Sequence, residues 1–206
     1  MRQIRPYRTV QGARRALDNG GRFYNLGSRA GDDVVEAGEL ARVAGVFSSN
    51  TKAFLHLQMA LMDLPEEQQS AVRSMLSQDL RGRLTAERAA VLAPSRVESD
   101  GKAGVPAIVS GYASFVEDRS ELRAFIVLVT PSPMMIPIFD QFDVYEVYDS
   151  PAQTEPRTVV ATVRGSKRLD GLYCRFGGML KELQFEDKTG KDHGLYLEAL
   201  FYTPLA

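Results

Sequence analysis

Between Val105 and Phe115 the chain alternates with a period of two. Val105, Ala107, Val109, Gly111, Ala113 and Phe115 fall on one side of an extended backbone, and Ile108, Ser110, Tyr112 and Ser114 on the other. Successive strand side chains point to opposite faces, so this pattern describes a half-buried strand. Comparable segments follow at 122–130, 142–148, 158–164, 172–176, 180–186 and 195–202. That makes about seven short strands in roughly 100 residues, the spacing of a small barrel or sandwich. EDRSE at 117–121 has the length of a hairpin loop, and DKTGKDHG at 187–194 reads as a polar turn joining the last two strands. TPSPMMIPIFDQ at 130–141 holds three prolines, which confine it to an edge or a loop.

The residues before this region have a different period. Leu40, Val43 and Phe47 follow one another at helical spacing and predict a helix over 34–46. A second, over 51–63, carries Phe54, Leu55, Leu57, Met59, Leu61 and Met62 around nearly its whole circumference. A helix apolar on most faces is a buried one. Pro65, Glu66 and Glu67 open a third, because proline suits the first turn and carboxylates favour the positive end of the helix dipole. Its stripe is Val72, Met75, Leu76 and Leu80, and a short last helix is expected from Thr85 to Leu92. Residues 1–31, rich in glycine and arginine, read as irregular, with a short extended stretch at 23–26.

APSRVESDGKAG at 93–104 separates the two patterns and reads as a linker. The expected organisation is therefore a mainly helical unit over 1–92 and a β unit over 105–206. The fold class is α+β: a short-helix N-terminal segment followed by an antiparallel β-barrel, OB-like, or a small β-sandwich. Gly111 and Gly165 in the long strands favour the barrel, since glycine lets a sheet bend sharply.

Composition removes several function classes. The 206 residues carry 25 basic and 26 acidic side chains, a net charge of −1, so no strong field favours a polyanion or a membrane. Residues before Pro94 hold 13 basic and 10 acidic groups, and those from Pro94 onward 12 and 16. The halves are thus +3 and −4. One cysteine, Cys174, and two histidines exclude an internal disulfide and zinc sites of the Cys-rich kinds. The apolar runs at 54–64 and 124–131 fall short of the roughly 20 residues that span a bilayer. The N-terminus lacks the apolar core of a secretory signal. A soluble, cytoplasmic chain with no membrane role is expected.

Three constellations carry chemistry. The basic, aromatic stretch TVRGSKRLDGLYCRF supplies Arg164, Arg168, Tyr173 and Arg175. Alternation places Tyr173 and Arg175 on the polar face and Cys174 and Phe176 in the core. Cations interleaved with an aromatic suit a protein partner or a single-stranded nucleic acid. The acidic ladder Asp140, Asp143, Glu146 and Asp149 has the oxygen donors a divalent cation needs. On a strand, however, Asp143 and Glu146 point to opposite faces. The arginines Arg2, Arg5, Arg8, Arg14, Arg15, Arg22 and Arg29 form a basic N-terminal set suited to holding an anion or docking on the acidic half. His56 lies in the most apolar helix with no second ligand at helical spacing, and Cys174 has no base nearby in sequence. Both read as core residues.

No phosphate-loop or nucleophile-elbow motif occurs. The leading expectation is a non-catalytic binding or protein-interaction module using the barrel surface, partnered by another protein or a second copy, with no cofactor. One alternative is single-stranded nucleic-acid binding by the same surface. Another is a divalent-metal-dependent enzyme built on the ladder near 140–149.

Overall fold

The computed structural model describes residues 1–205 apart from 22–28, 47–49, 129–133, 154–156, 164–167 and 188–189; within 117–142 and 183–193 it describes the backbone alone. Among the described residues there are six α-helices: α1 (Val10–Leu17), α2 (Ala37–Ala44), α3 (Asn50–Leu61), α4 (Glu66–Ser74), α5 (Gln78–Ala86) and α6 (Val97–Asp100). Seven strands accompany them: β1 (Arg2–Gln3), β2 (Ala90–Leu92), β3 (Pro106–Leu128), β4 (Met134–Tyr148), β5 (Arg157–Val163), β6 (Tyr173–Asp187) and β7 (Gly190–Pro204). Helices α1–α5 precede the long strands β3–β7, as expected, while the short β1 and β2 and the four-residue α6 fall outside that order.

The N-terminal residues are more regular than their composition implies. Thr9 caps α1 by accepting the Gly12 N–H at 3.0 Å on its Oγ1. Val10, Ala13 and Leu17 supply its apolar face, a stripe masked in the sequence by Arg14 and Arg15. Two buried carboxylates then organise the chain between α1 and α2. Asp18 accepts the Gly31 and Asp33 backbone N–H groups, and Glu39 accepts those of Gly20 and Glu36. The stretch at 23–26 lies outside the described residues.

α3 explains its own composition. Eight of its twelve residues are buried. Phe54, Leu57 and Leu61 enter the helical core with Leu17, Leu40 and Leu76, whereas Leu55 and Met59 enter a second layer with Ile4, just after β1, and with Ile108 and Phe201 of the β unit. It is therefore sandwiched between two cores. Each large apolar side chain buried this way contributes roughly 1.5–3 kcal/mol. Gly177 makes the approach possible, because a Cβ there would collide with Met59 Sδ.

β3, β4, β5, β7 and β6 pair in that order, and β6 pairs back onto β3, so the five strands close into an OB-like barrel. The barrel is mixed. β5 and β7 run parallel because β6 lies between them in the chain. Its core holds Val109, Tyr145, Val147, Val160, Phe176 and Leu197. At one end two short parallel strands tie on the helical unit. β1 joins β7 through Arg2 and Phe201, and β2 joins β3 through Val91 and Ile108.

EDRSE is not a hairpin: β3 runs through it, with register shifts between Phe115 and Glu117 and between Leu122 and Ala124. Bulges let one strand bend where a turn was expected. The segments at 172–176 and 180–186 are likewise one strand, shifted in register at Gly177 and Gly178. Residues 90–92 are strand β2 and not the end of a helix. Beyond the barrel, 120–128 and 134–141 pair only with each other among the described strands, forming a two-stranded arm. Pro137 sits on this arm, where an edge position tolerates its missing N–H. A second arm, 183–187 with 190–194, leaves the opposite end.

The stretch 93–104 is structured. Pro94–Arg96 forms a 3₁₀ turn leading into α6, whose Val97 is fully buried in the barrel core. Glu98 accepts the Leu195 backbone N–H at 2.8 Å. No helix among the described residues is long and apolar enough to cross a membrane.

Candidate functional site

The outer face of β3 and β6 has two zones. Around Ile108 and Gly177 it is covered by α3. At Tyr112 and Tyr173, which are register partners, the cover ends. Their rings lie 4.8 Å apart in a tilted arrangement, and Tyr173 is 37% exposed. The loop before β6 continues the pairing past this point. Ala113 N–H donates to the Leu172 carbonyl at 3.0 Å, and Gly171 N–H to the Ala113 carbonyl at 2.8 Å. Phe115 N–H donates to Asp170 Oδ1 at 3.0 Å.

This pairing sets Arg168 over the Phe115 ring, with the guanidinium carbon 4.3 Å from the centroid. A cation on an aromatic face at this distance contributes about 0.5–1 kcal/mol where exposed. Phe115 packs edge-on against Tyr145 at 5.5 Å, so the stacked arginine is referenced to the barrel core. Leu172 and Val116, the chain neighbours of Tyr173 and Phe115, are 43% and 46% exposed. The result is a rim of two tyrosines, one stacked arginine and two exposed aliphatics.

The four residues singled out from the sequence have separate fates. Arg168 and Tyr173 belong to this rim. Arg164 lies outside the described residues. Arg175 shares the face of Tyr173, as alternation requires, but is only 8% exposed; its Nη1 donates to Asp63 Oδ1 at 2.9 Å, beyond the end of α3. Tyr112, Phe115, Val116 and Leu172 complete the rim. Tyr112 carried a signal, since it falls on the polar side of the first alternation. The rest depended on the path of the 168–173 loop.

The acidic ladder does not converge. Asp143 is buried and opposite Thr162, while Glu146 is on the other face, accepting from the Tyr148 hydroxyl and pairing with Arg157 Nε at 2.8 Å. That bond to Glu146 holds the Tyr148 phenol above its ordinary range. Asp149 is exposed, and the Asp140 side chain lies outside the described residues. No group of three His, Cys, Asp or Glu among the described residues is placed to hold a metal ion. Cys174 is fully buried, and burial pushes its thiol up to about 11, the condition of an unreactive core thiol. Among the N-terminal arginines, Arg2 binds the Val43 and Ala44 carbonyls at the C-terminal end of α2, and Arg14 pairs with Asp33.

No protein-family model and no curated protein matches the chain. Among solved structures it is similar to a crystal structure of the N-terminal domain of an archaeal MCM, at 14% identity and a TM-score of 0.45, over 96% of this chain and 94% of that chain. In class, the protein is an OB-like barrel carrying an N-terminal helical unit.

Proposed function

We propose that this chain is a protein-interaction module and that the rim formed by Tyr112, Arg168, Leu172 and Tyr173 is its contact surface. The observation that carries this reading is the Arg168–Phe115 stack together with the Tyr112–Tyr173 pair, in which Tyr173 is exposed. Tyrosine and arginine on a rigid element dominate the binding energy of protein interfaces, and their truncation there costs about 2 kcal/mol or more. Charge decides between macromolecules. Asp170 lies in the same rim, and the half of the chain that forms it is −4, which disfavours a polyanion. Arg164 is proposed as an outlying part of the same surface, and Arg175 as the anchor that fixes β6 beneath it. The partner is another protein or a second copy of this chain.

A photo-crosslinking side chain placed at Leu172 or Tyr173 in cells tests this. A discrete protein adduct, of dimer mass or of a second protein, is expected, and it should vanish with Arg168→Glu. A control probe at Glu67, on the exposed side of α4, should give none. Adducts indistinguishable between rim and control end the reading.

The second reading is single-stranded nucleic acid. It is favoured by the tilted tyrosine pair, on which bases stack for about 1–3 kcal/mol each, and by the OB-like closure of the barrel. Anisotropy of labelled oligonucleotides at low salt, lost in Tyr112→Ala and Tyr173→Ala, would move the assignment there.

A further inference from the structure

We propose that the cleft between α4, α5 and β2 binds a small organic oxyanion, a carboxylate or phosphate headgroup carried on an apolar body. The cleft holds about 290 Å³ and shares no lining residue with the rim. That volume is at the lower end of the roughly 300–1,000 Å³ typical of small-molecule sites.

Its walls divide by chemistry. Met62, Leu84, Val91 and Ile108 supply an apolar side, with Val91 58% exposed on the edge strand. Gln58, Arg73 and Arg88 supply a donor-rich side. Arg73 is already held in place: Nη1 donates to Glu66 Oε1 at 2.8 Å and Nη2 to Gln69 Oε1 at 2.6 Å. Glu66, the one carboxylate among the described lining residues, is thereby committed.

The donors left over point to the ligand. Gln58 Oε1 accepts the Ala89 backbone N–H at 3.0 Å, which fixes the orientation of the amide. Its Nε2 is then a buried donor with no partner among the described residues. A donor buried without an acceptor costs about 1–3 kcal/mol, and because Nε2 is closed to solvent a ligand acceptor offsets that cost only where the amide turns towards the cleft. Arg88 lines the same cleft, is exposed, and makes no hydrogen bond or ion pair among the described residues. A shallower groove continues past Arg73 to Arg81, adding a further cation. Unpaired donors and guanidinium groups opposite an aliphatic wall select an anion with an apolar tail, in preference to a cation or a neutral alcohol.

Calorimetric titration of the full chain with sodium octanoate and with phenyl phosphate separates the two headgroups, and 1-octanol and octylamine serve as neutral and cationic controls. At least one anion should bind, and Arg88→Ala should weaken it about 10- to 100-fold, the span of one charged hydrogen bond. Val91→Asp should abolish binding by placing a carboxylate on the apolar wall. Both positions are exposed, so the fold should persist, which circular dichroism checks. Tyr173→Ala should leave the titration unchanged, keeping this site distinct from the rim. Absence of heat with both anions at millimolar concentration, equal binding of octanol or octylamine, or indifference to Arg88→Ala would each overturn the assignment.

Discussion

Arg175 Nη1 meets Asp63 Oδ1 at 2.9 Å across the seam between barrel and helices. The arginine is buried there with its Nε unpaired, whereas Asp63 retains 40% of its side-chain exposure. Removing the aspartate strands a buried cation. Such losses reach about 3–5 kcal/mol for fully buried pairs. Water around Asp63 screens this one, so Asp63→Ala should cost about 1–3 kcal/mol. Arg175→Met removes the charge and keeps the volume, and should stay within about 1.5 kcal/mol of the parent. Urea midpoints compare the two, and equal losses would show that the pair acts only through packing.

Gly177 lies on β6 where Leu55 and Met59 of α3 pack against it. Adding one methyl forces it onto Met59 Sδ, so Gly177→Ala should cost about 1–3 kcal/mol by overpacking. Met59→Ala alone should cost about 2–5 kcal/mol through the cavity it leaves. Combined, the two should cost less than their sum, because the methyl then enters the space vacated by the thioether. Additive losses in a double-mutant cycle would mean that the glycine is needed for backbone bending and not for helix contact.

What was legible in the sequence is what depends on local period. The first half of β3, the largely buried α3 and the inward Cys174 and Phe176 follow from side-chain alternation and helical spacing alone. Barrel closure was inferable only as a class, because which strands pair is decided by contacts distant in sequence. The EDRSE segment misled for a physical reason: polar residues mark a turn only where the chain reverses, and a bulged strand leaving the barrel is polar too. Two of the rim residues are readable, since Tyr173 and Arg168 stand out in a basic, aromatic stretch. Arg175 was legible in direction but not in partner, because Asp63 lies 112 residues away. The cleft at Gln58 and Arg88 left no motif, as its walls come from three helices and two strands.

α3 belongs to both cores, and β1 and β2 bind the helical unit to β7 and β3. The seam should therefore transmit unfolding, and we expect a single calorimetric transition despite the two-part sequence pattern. We place the boundary between the units just before Pro94, since Val97 is part of the barrel core. Proteolysis under native conditions should accordingly spare 94–100. Two resolved transitions, or early cleavage in that stretch, would show that the units fold independently.

His56 gives the fold a defined acid response. The ring is 7% exposed and meets Phe201 edge-on at 5.4 Å. Burial, aided by the nearby Arg2 guanidinium, pushes its pKa down to about 4 from an ordinary 6.5. The folded protein thus resists a proton that the unfolded chain accepts, so protonation favours unfolding. The contribution of a neutral His56 is complete above pH 6.5 and is lost progressively as pH falls from there towards 4. The full loss is about 3 kcal/mol, because each tenfold fall in proton affinity on folding corresponds to roughly 1.4 kcal/mol. Carboxylates also titrate near the lower limit, so the informative quantity is the difference between parent and His56→Leu. Urea unfolding at steps from about pH 7 to about pH 4.5 should show the parent losing stability faster than the variant. Parallel profiles would mean that the imidazole is solvated and that the α3–β7 contact opens in solution.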